Sequence, residues 1–263
     1  MQDTPVSPLL QHKWHRQPSV FSPEALLREA RRQKGLAQAE VPATCLLDPD
    51  GDIVRRLRDK GECRMSKTWP CYHSELDVFT LQGRDIGIVG RAVGAPYAVL
   101  VAEQLFSMGC KLLISLTSAG QITTVGAAPY FVLIDRALRD EGTSHHYLPP
   151  AEFADADPLL IARSREALDK AGLQVHVGAS WTTDAPFRET ARAIDAAKSR
   201  SILAVEMEAA ALYALAQARG EAVLCLAHVT NAMGQHGEDF EKGVEDGTAD
   251  ALRLLSAIVQ GLA

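Results

Sequence analysis

The stretch Val205-Glu206-Met207-Glu208-Ala209-Ala210-Ala211-Leu212 sets two carboxylates around a methionine where one kind of local structure gives way to another. Before it, Ser201-Ile202-Leu203-Ala204-Val205 is a short apolar run that reads as a buried strand. After it, Ala209 to Ala218 is rich in the helix formers alanine and leucine. A buried strand passing into a helix is the unit of an α/β chain, and in such folds the carboxyl ends of the strands face the crevice that binds ligands. Two readings of Glu206 and Glu208 follow. They favour the positive end of the helix dipole, or they form an acidic pair that holds sugar hydroxyls or stabilises developing positive charge.

Outward from this stretch the same alternation continues. Apolar strand candidates at 44–47, 86–90, 112–116, 129–134, 175–180, 202–205 and 222–229 are interleaved with helical stretches near 52–59, 97–108, 158–171, 187–198, 206–219 and 238–261. This order predicts an α/β sheet with helices on both faces. The runs 112–116 and 222–227 are apolar on both faces, as central strands must be. Ser22-Pro23-Glu24 is a helix start, with Ser as N-cap and Pro in the first turn, for a helix running through Arg32 and stopping near Gly35. Residues 1–21, with Pro5, Pro8 and Pro18 and no hydrophobic period, read as an extended arm whose His12 and His15 face solvent.

Composition narrows the class of protein. At 263 residues the chain can bury one sizeable core. A hydrophobic share of 47% with 23% charged residues is that of an ordinary globular enzyme. The net charge of -6 argues against a nucleic-acid or anionic-membrane partner. Cys45, Cys63, Cys71, Cys110 and Cys225 form no Cys-x-x-Cys pair and suit reduced thiols, which points to the cytoplasm. His145 and His146 have no metal-site spacing with a nearby Cys or acid. No Walker loop, dinucleotide fingerprint or Gly-x-Ser-x-Gly elbow is present, so neither a metal nor a redox cofactor is expected.

The Glu-Met-Glu stretch resembles the signature of the nucleoside phosphorylase and nucleosidase superfamily, and further segments resemble that family in the same order. Gly90-Arg91-Ala92-Val93-Gly94-Ala95-Pro96 is similar to its glycine-rich turn. Thr117-Ser118-Ala119-Gly120-Gln121-Ile122 is similar to its small-residue phosphate and ribose loop. Asp140-Glu141-Gly142-Thr143-Ser144-His145-His146-Tyr147 resembles a stretch of the uridine phosphorylase branch, and Thr182-Thr183-Asp184 resembles the family's hydroxyl-rich turn. The resemblance implies a three-layer α/β sandwich with a mixed, partly barrel-like central sheet, over a catalytic domain 42–263 preceded by an arm and helix 1–41. It also implies cleavage of a nucleoside N-glycosidic bond, with phosphate as co-substrate if the reaction is phosphorolysis.

The resemblance assigns roles residue by residue. Glu208 accepts hydrogen bonds from ribose hydroxyls while Met207 packs on the sugar, and Glu206 orients its neighbours or contacts sugar or nucleophile. Ser118, Ala119 and Gly120 form an amide-and-hydroxyl cradle for the nucleophile. The family's two phosphate arginines are absent, since Gly51 and Ser115 stand at those positions. Arg91 is either a relocated phosphate ligand, its guanidinium fork suiting phosphate oxygens, or a surface residue. If no cation reaches the site, water becomes the nucleophile, with Glu206 or Asp48 as candidate base.

Asn231 stands where purine-cleaving members keep an acid, and an amide cannot protonate a leaving base. That points toward a pyrimidine or modified base. Thr183, Asp184, Phe187 and Arg188 wall the base pocket, although Asp184 serves equally as a helix N-cap and Arg188 as an exposed first-turn residue. The expected function is phosphorolysis of a nucleoside in the manner of uridine phosphorylase. Hydrolysis of a nucleoside or nucleotide, and non-catalytic nucleoside binding, are the alternatives. A homodimer or homohexamer is implied, with His12 or His15 reaching a neighbour's sugar.

Overall fold

A computed structural model describes residues 7–233 and 240–262. Ten strands are seen among them: β1 (Thr44–Asp48), β2 (Cys63–Met65), β3 (Asp77–Leu81), β4 (Arg84–Gly90), β5 (Leu112–Gln121), β6 (Tyr130–Asp140), β7 (Phe153–Asp155), β8 (His176–Thr183), β9 (Ile202–Glu206) and β10 (Ala222–Asn231). The helices are α1 (Pro23–Lys34), α2 (Asp52–Asp59), α3 (Ala95–Ser107), α4 (Ser144–Tyr147), α5 (Pro158–Lys170), α6 (Ala191–Ser199), α7 (Ala209–Arg219) and α8 (Thr248–Gly261).

Five strands close on themselves. β10 lies between β5 (parallel) and β6 (antiparallel), β6 pairs with β8, β8 with β9, and β9 returns to β5. From this ring β1, β4, β3 and β2 extend as an open wing, joined through β1 to β5. β5 has a divided edge. Its residues 112–115 pair with β1, and Gly120 and Gln121 pair with β9. Between these contacts the edge of β5 is released by both neighbours, which leaves the backbone near Ser118 available to other partners.

Side chains leave successive strand residues on opposite faces, and the core shows it. Leu113, Val223 and Cys225 join a cluster with Leu27 of α1, α3 and α7, whereas Ile114, Leu224 and Leu226 join a second cluster with α2, α5 and α8. Tyr213 of α7 is fully buried. Its hydroxyl donates to the Ile134 carbonyl at 2.6 Å and accepts the Cys225 amide at 3.0 Å, so one side chain fastens α7 to two strands of the ring.

The expected helix from Pro23 is present, capped by the Ser22 hydroxyl and closed by Gly35 in the left-handed region (φ 64°). Elsewhere the structure corrects the boundaries. The segment 117–121, expected as a loop, is the second half of β5. The helix expected from 187 begins at Ala191, because Pro186–Arg188 forms a separate 3-10 turn and the Thr190 hydroxyl caps the Ala193 amide. Asp184 is therefore not the N-cap.

The last helix, expected from about 238, begins at Thr248; residues 238 and 239 lie outside the described residues, as does Pro5 of the arm. Glu245, Asp246 and Gly247 all have positive φ. A Cβ at Gly247 would stand 2.2 Å from Cε1 of His228, so glycine is required where the chain turns into α8. Strands β2, β3 and β7 were not expected. His12 is exposed as expected, while His15 is half-buried with its Nε2 3.1 Å from the His145 carbonyl. Among the described residues no helix is long and apolar enough to cross a membrane.

Candidate active site

The Glu-Met-Glu stretch sits where β9 ends. Parallel pairing sets Thr182 beside Glu206 and Ser180 beside Ala204, so hydroxyls of β8 meet the Glu206 carboxylate. Its Oε1 accepts from Ser180 at 2.9 Å and Thr182 at 2.5 Å, and its Oε2 accepts the amides of Glu208 and Ala209, both at 2.7 Å. Four donors hold this buried carboxylate as the pin on which the strand turns into α7. Burial pushes its pKa up and the donors oppose that. Helix α7 thus starts at Ala209, three residues later than expected from the apolar pattern, because Glu206 ties down the first free amides.

Glu208 is held differently. Its Oε1 accepts the Gly94 amide at 2.6 Å, which ties the glycine-rich turn after β4 to the end of β9. Its Oε2 is buried and has no protein donor. Desolvation, reinforced by the charge of Glu206, pushes its pKa up to about 8. Gly94 has φ 86°, a conformation that favours glycine and turns its amide toward the carboxylate.

A cavity of about 880 Å³ opens at the ends of β5, β9 and β10, lined among others by Ser118, Gly120, Glu206, Met207, Asn231 and Met233; Glu208 lies behind Met207, outside that lining. A Cβ at Gly120 would fall 2.3 Å from Met233 Sδ, so glycine lets the β10 end close over β5. The Asn231 Oδ1 accepts the Met233 amide at 2.9 Å and its Nδ2 donates to Thr230 at 3.2 Å. Ala119 and Phe187 also line the cavity, Phe187 as a fully exposed ring at its rim.

The remaining expected residues lie elsewhere. Thr183 is buried and its hydroxyl accepts the Ala185 amide, Asp184 accepts the Gly142 amide at 2.9 Å, and Arg188 is exposed; none of the three lines this cavity. Arg91 borders a neighbouring cavity of about 560 Å³ with Arg55, Arg58 and His73. Its side chain lies over Gly51, where a Cβ would come within 2.9 Å of Cγ.

Several contacts escaped sequence reasoning. The released edge of β5 is taken by Asp50, whose Oδ2 accepts the Ser118 amide at 2.9 Å and also binds the Ser118 hydroxyl. The Lys242 ammonium lies 2.5 Å from Asp52 and 3.8 Å from Asp50. Asp48, one of the two candidate bases, instead folds its carboxylate back onto the amides of Gly51 and Val54 at 3.2 and 2.9 Å. Burial pushes its pKa up to about 7. No signal in the sequence joins Asp50 to Ser118. Glu189, on the cavity wall, lay hidden inside an apparent helix. Among the described residues no group of three His, Cys, Asp or Glu side chains converges as a metal site would require.

The family profile of the phosphorylase superfamily matches residues 45–260, spanning both the ring and the open wing. The chain belongs to the phosphorylase superfamily. The uridine phosphorylase of Thermococcus kodakarensis is 26% identical over 217 residues, 72% of this chain and 78% of that protein. A DeoD-type purine nucleoside phosphorylase of Shewanella denitrificans is 28% identical over 154 residues, 58% of this chain and 65% of that protein.

Among solved structures, uridine phosphorylase from Vibrio fischeri superposes with a TM-score of 0.70 at 20% identity, covering 87% of this chain and 94% of that one. Purine nucleoside phosphorylase from Toxoplasma gondii, in complex with immucillin-H, superposes with a TM-score of 0.71 at 17% identity, covering 85% and 92%. This phosphorylase-superfamily chain therefore shares the expected α/β sandwich and its partly closed sheet with those structures.

Proposed function

We propose that this chain cleaves the N-glycosidic bond of a nucleoside, with the sugar lying over Met207 and its hydroxyls donating to Glu208. The observation that supports this most is the Glu208 carboxylate itself. One oxygen is fixed by Gly94 and the other is buried without a protein donor. A buried oxygen left in that state costs about 1–3 kcal/mol, which a ligand hydroxyl removes. Charge on the departing sugar is then stabilised by an acid already in position.

Two nucleophiles are compatible with this sugar site, and Asp50 divides them. Seated on the Ser118 amide and hydroxyl, its carboxylate holds the place an anion would take and can accept a proton from water. This contact favours hydrolysis. Phosphorolysis, the activity named for the relatives, requires Asp50 to leave. The Ser118 amide, its hydroxyl and the Lys242 ammonium would then face phosphate.

The test is base release from purine and pyrimidine nucleosides with and without phosphate. Free ribose at a rate independent of phosphate supports hydrolysis, and ribose 1-phosphate formed in proportion to phosphate supports phosphorolysis. Nucleoside binding without base release under either condition would overturn the enzymatic reading.

A further inference from the structure

Cleaving a purine N-glycosidic bond requires a proton for the departing base, and Asn231, at the β10 end of the cavity, has none to give. Glu189 lines the same cavity. It follows the Pro186–Arg188 turn with φ -70° and ψ 82°, outside helical geometry, one residue before the Thr190 cap of α6. Its carboxyl is half-buried in the wall of the cavity that also holds Met207 and Asn231. Asp195 and Lys198 of α6 and Glu206 of β9 line the same cavity. None of them, nor any other described residue, hydrogen-bonds or pairs with the Glu189 carboxyl.

We propose that Glu189 is the proton donor to the leaving base, and that the chain accepts purine nucleosides. This rests on the reading of the cavity as a nucleoside site. As the C1′–N bond breaks, its electron pair passes to the base, and the Glu189 carboxyl proton moves to a ring nitrogen. The carboxylate left behind is reprotonated from solvent through the open side of the cavity. The sugar cation is captured by the nucleophile beside Ser118. Burial supports the assignment, because desolvation pushes the Glu189 pKa up to about 7, so that a large fraction carries the proton at neutral pH. Asn231, which keeps a second N–H and a second lone pair beyond its bonds to Thr230 and Met233, is left to orient the base.

The experiment compares the unsubstituted protein with Glu189→Gln on two substrates, inosine and 4-nitrophenyl β-D-ribofuranoside. The nitrophenolate leaves without a proton, so the second substrate reads the sugar site and the fold alone. The variant is expected to lose on the order of a hundredfold in kcat on inosine and to stay within about twofold on the nitrophenyl riboside. It should also lose the alkaline decline of kcat/KM on inosine. Equal losses on both substrates would make Glu189 structural, and no loss on inosine would overturn the assignment. A protein that cleaves the nitrophenyl riboside but not inosine keeps the sugar site and loses this proposal, whereas one that cleaves neither loses both.

Discussion

The Gly94 amide donates to Glu208 Oε1 at 2.6 Å, across 114 positions of sequence. The contact orients a carboxylate whose second oxygen has no protein donor. Glu208→Gln keeps the shape but removes the charge and one acceptor. Turnover of ribonucleosides is expected to fall by about a hundredfold, with a smaller loss on 2′-deoxyribonucleosides, which already lack one hydroxyl. Steady-state kinetics on the matched pair checks it, and equal losses would remove the hydroxyl contact.

The pH dependence follows from two carboxyls raised by burial. Glu208, at about 8, must be ionised to accept hydroxyls, and Glu189, at about 7, must be protonated to donate. Ionisation of Glu208 increases as pH rises toward 8, while protonation of Glu189 decreases above 7. Their product rises with pH below about 7, is nearly flat between about 7 and 8, and falls above 8. The kcat/KM profile on a purine nucleoside should show that shape. In Glu189→Gln the profile should instead climb to about 8 and stay there.

Asp50→Asn removes the carboxylate from Ser118. If water is the nucleophile, phosphate-independent base release should fall by at least about a hundredfold. Added phosphate should restore part of the rate, because an amide no longer repels the anion. A variant as active as the parent without phosphate would exclude Asp50 as the base.

Arg91 lies over Gly51 and lines a different cavity from Ser118. Arg91→Ala is therefore expected to change base release by no more than about twofold. Gly51 has φ 78°, so Gly51→Ala should cost about 1–2 kcal/mol from backbone conformation alone, plus a clash with the arginine. Urea unfolding of the single and double variants should show the clash vanishing in the Arg91→Ala background. Strict additivity would show that the arginine does not occupy that space.

His228 stacks on Phe131 with ring centroids 4.4 Å apart, and burial pushes its pKa down to about 4. Between about 6.5 and 4 the unfolded chain takes up a proton that the native ring refuses, so its contribution to stability is lost as pH falls. The full effect is about 3 kcal/mol. Asp48 acts in the opposite sense: held near 7, it makes the native state less stable as pH rises from about 4 to 7. Measuring His228→Asn against the parent isolates the histidine, and the variant should gain about 3 kcal/mol relative to the parent between pH 6.5 and pH 4.

Much of this was legible in the sequence for local reasons. Ile202 to Leu212 shows its strand, its charge and its helix within eleven letters. The Ser22-Pro23-Glu24 start and the Gly35 stop are equally local signals, and both appear in the structure. What could not be read depends on distance or on brevity. Asp50 and Ser118 meet across 68 positions, β2 and β7 have only three residues each, too few to show a period, and after Thr117 the residues 118–121 carry little strand propensity of their own. They are held extended by β10 alongside Thr117 to Gly120 and by β9 at Gly120 and Gln121. Glu189 was passed over because Phe187 to Lys198 resembles one continuous helix. Only the break at Thr190 turns that carboxyl toward the cavity.

The closed ring has a temporal consequence. β10 is the last strand along the chain, yet it lies between β5 and β6, formed a hundred residues earlier. A ribosome adding about 5–20 residues each second would hold those two apolar strands unpaired on facing edges for some seconds. Such edges invite pairing with other chains. Until residues 222–231 emerge, the nascent protein has no finished cavity, and that interval is when it is most exposed to misassembly.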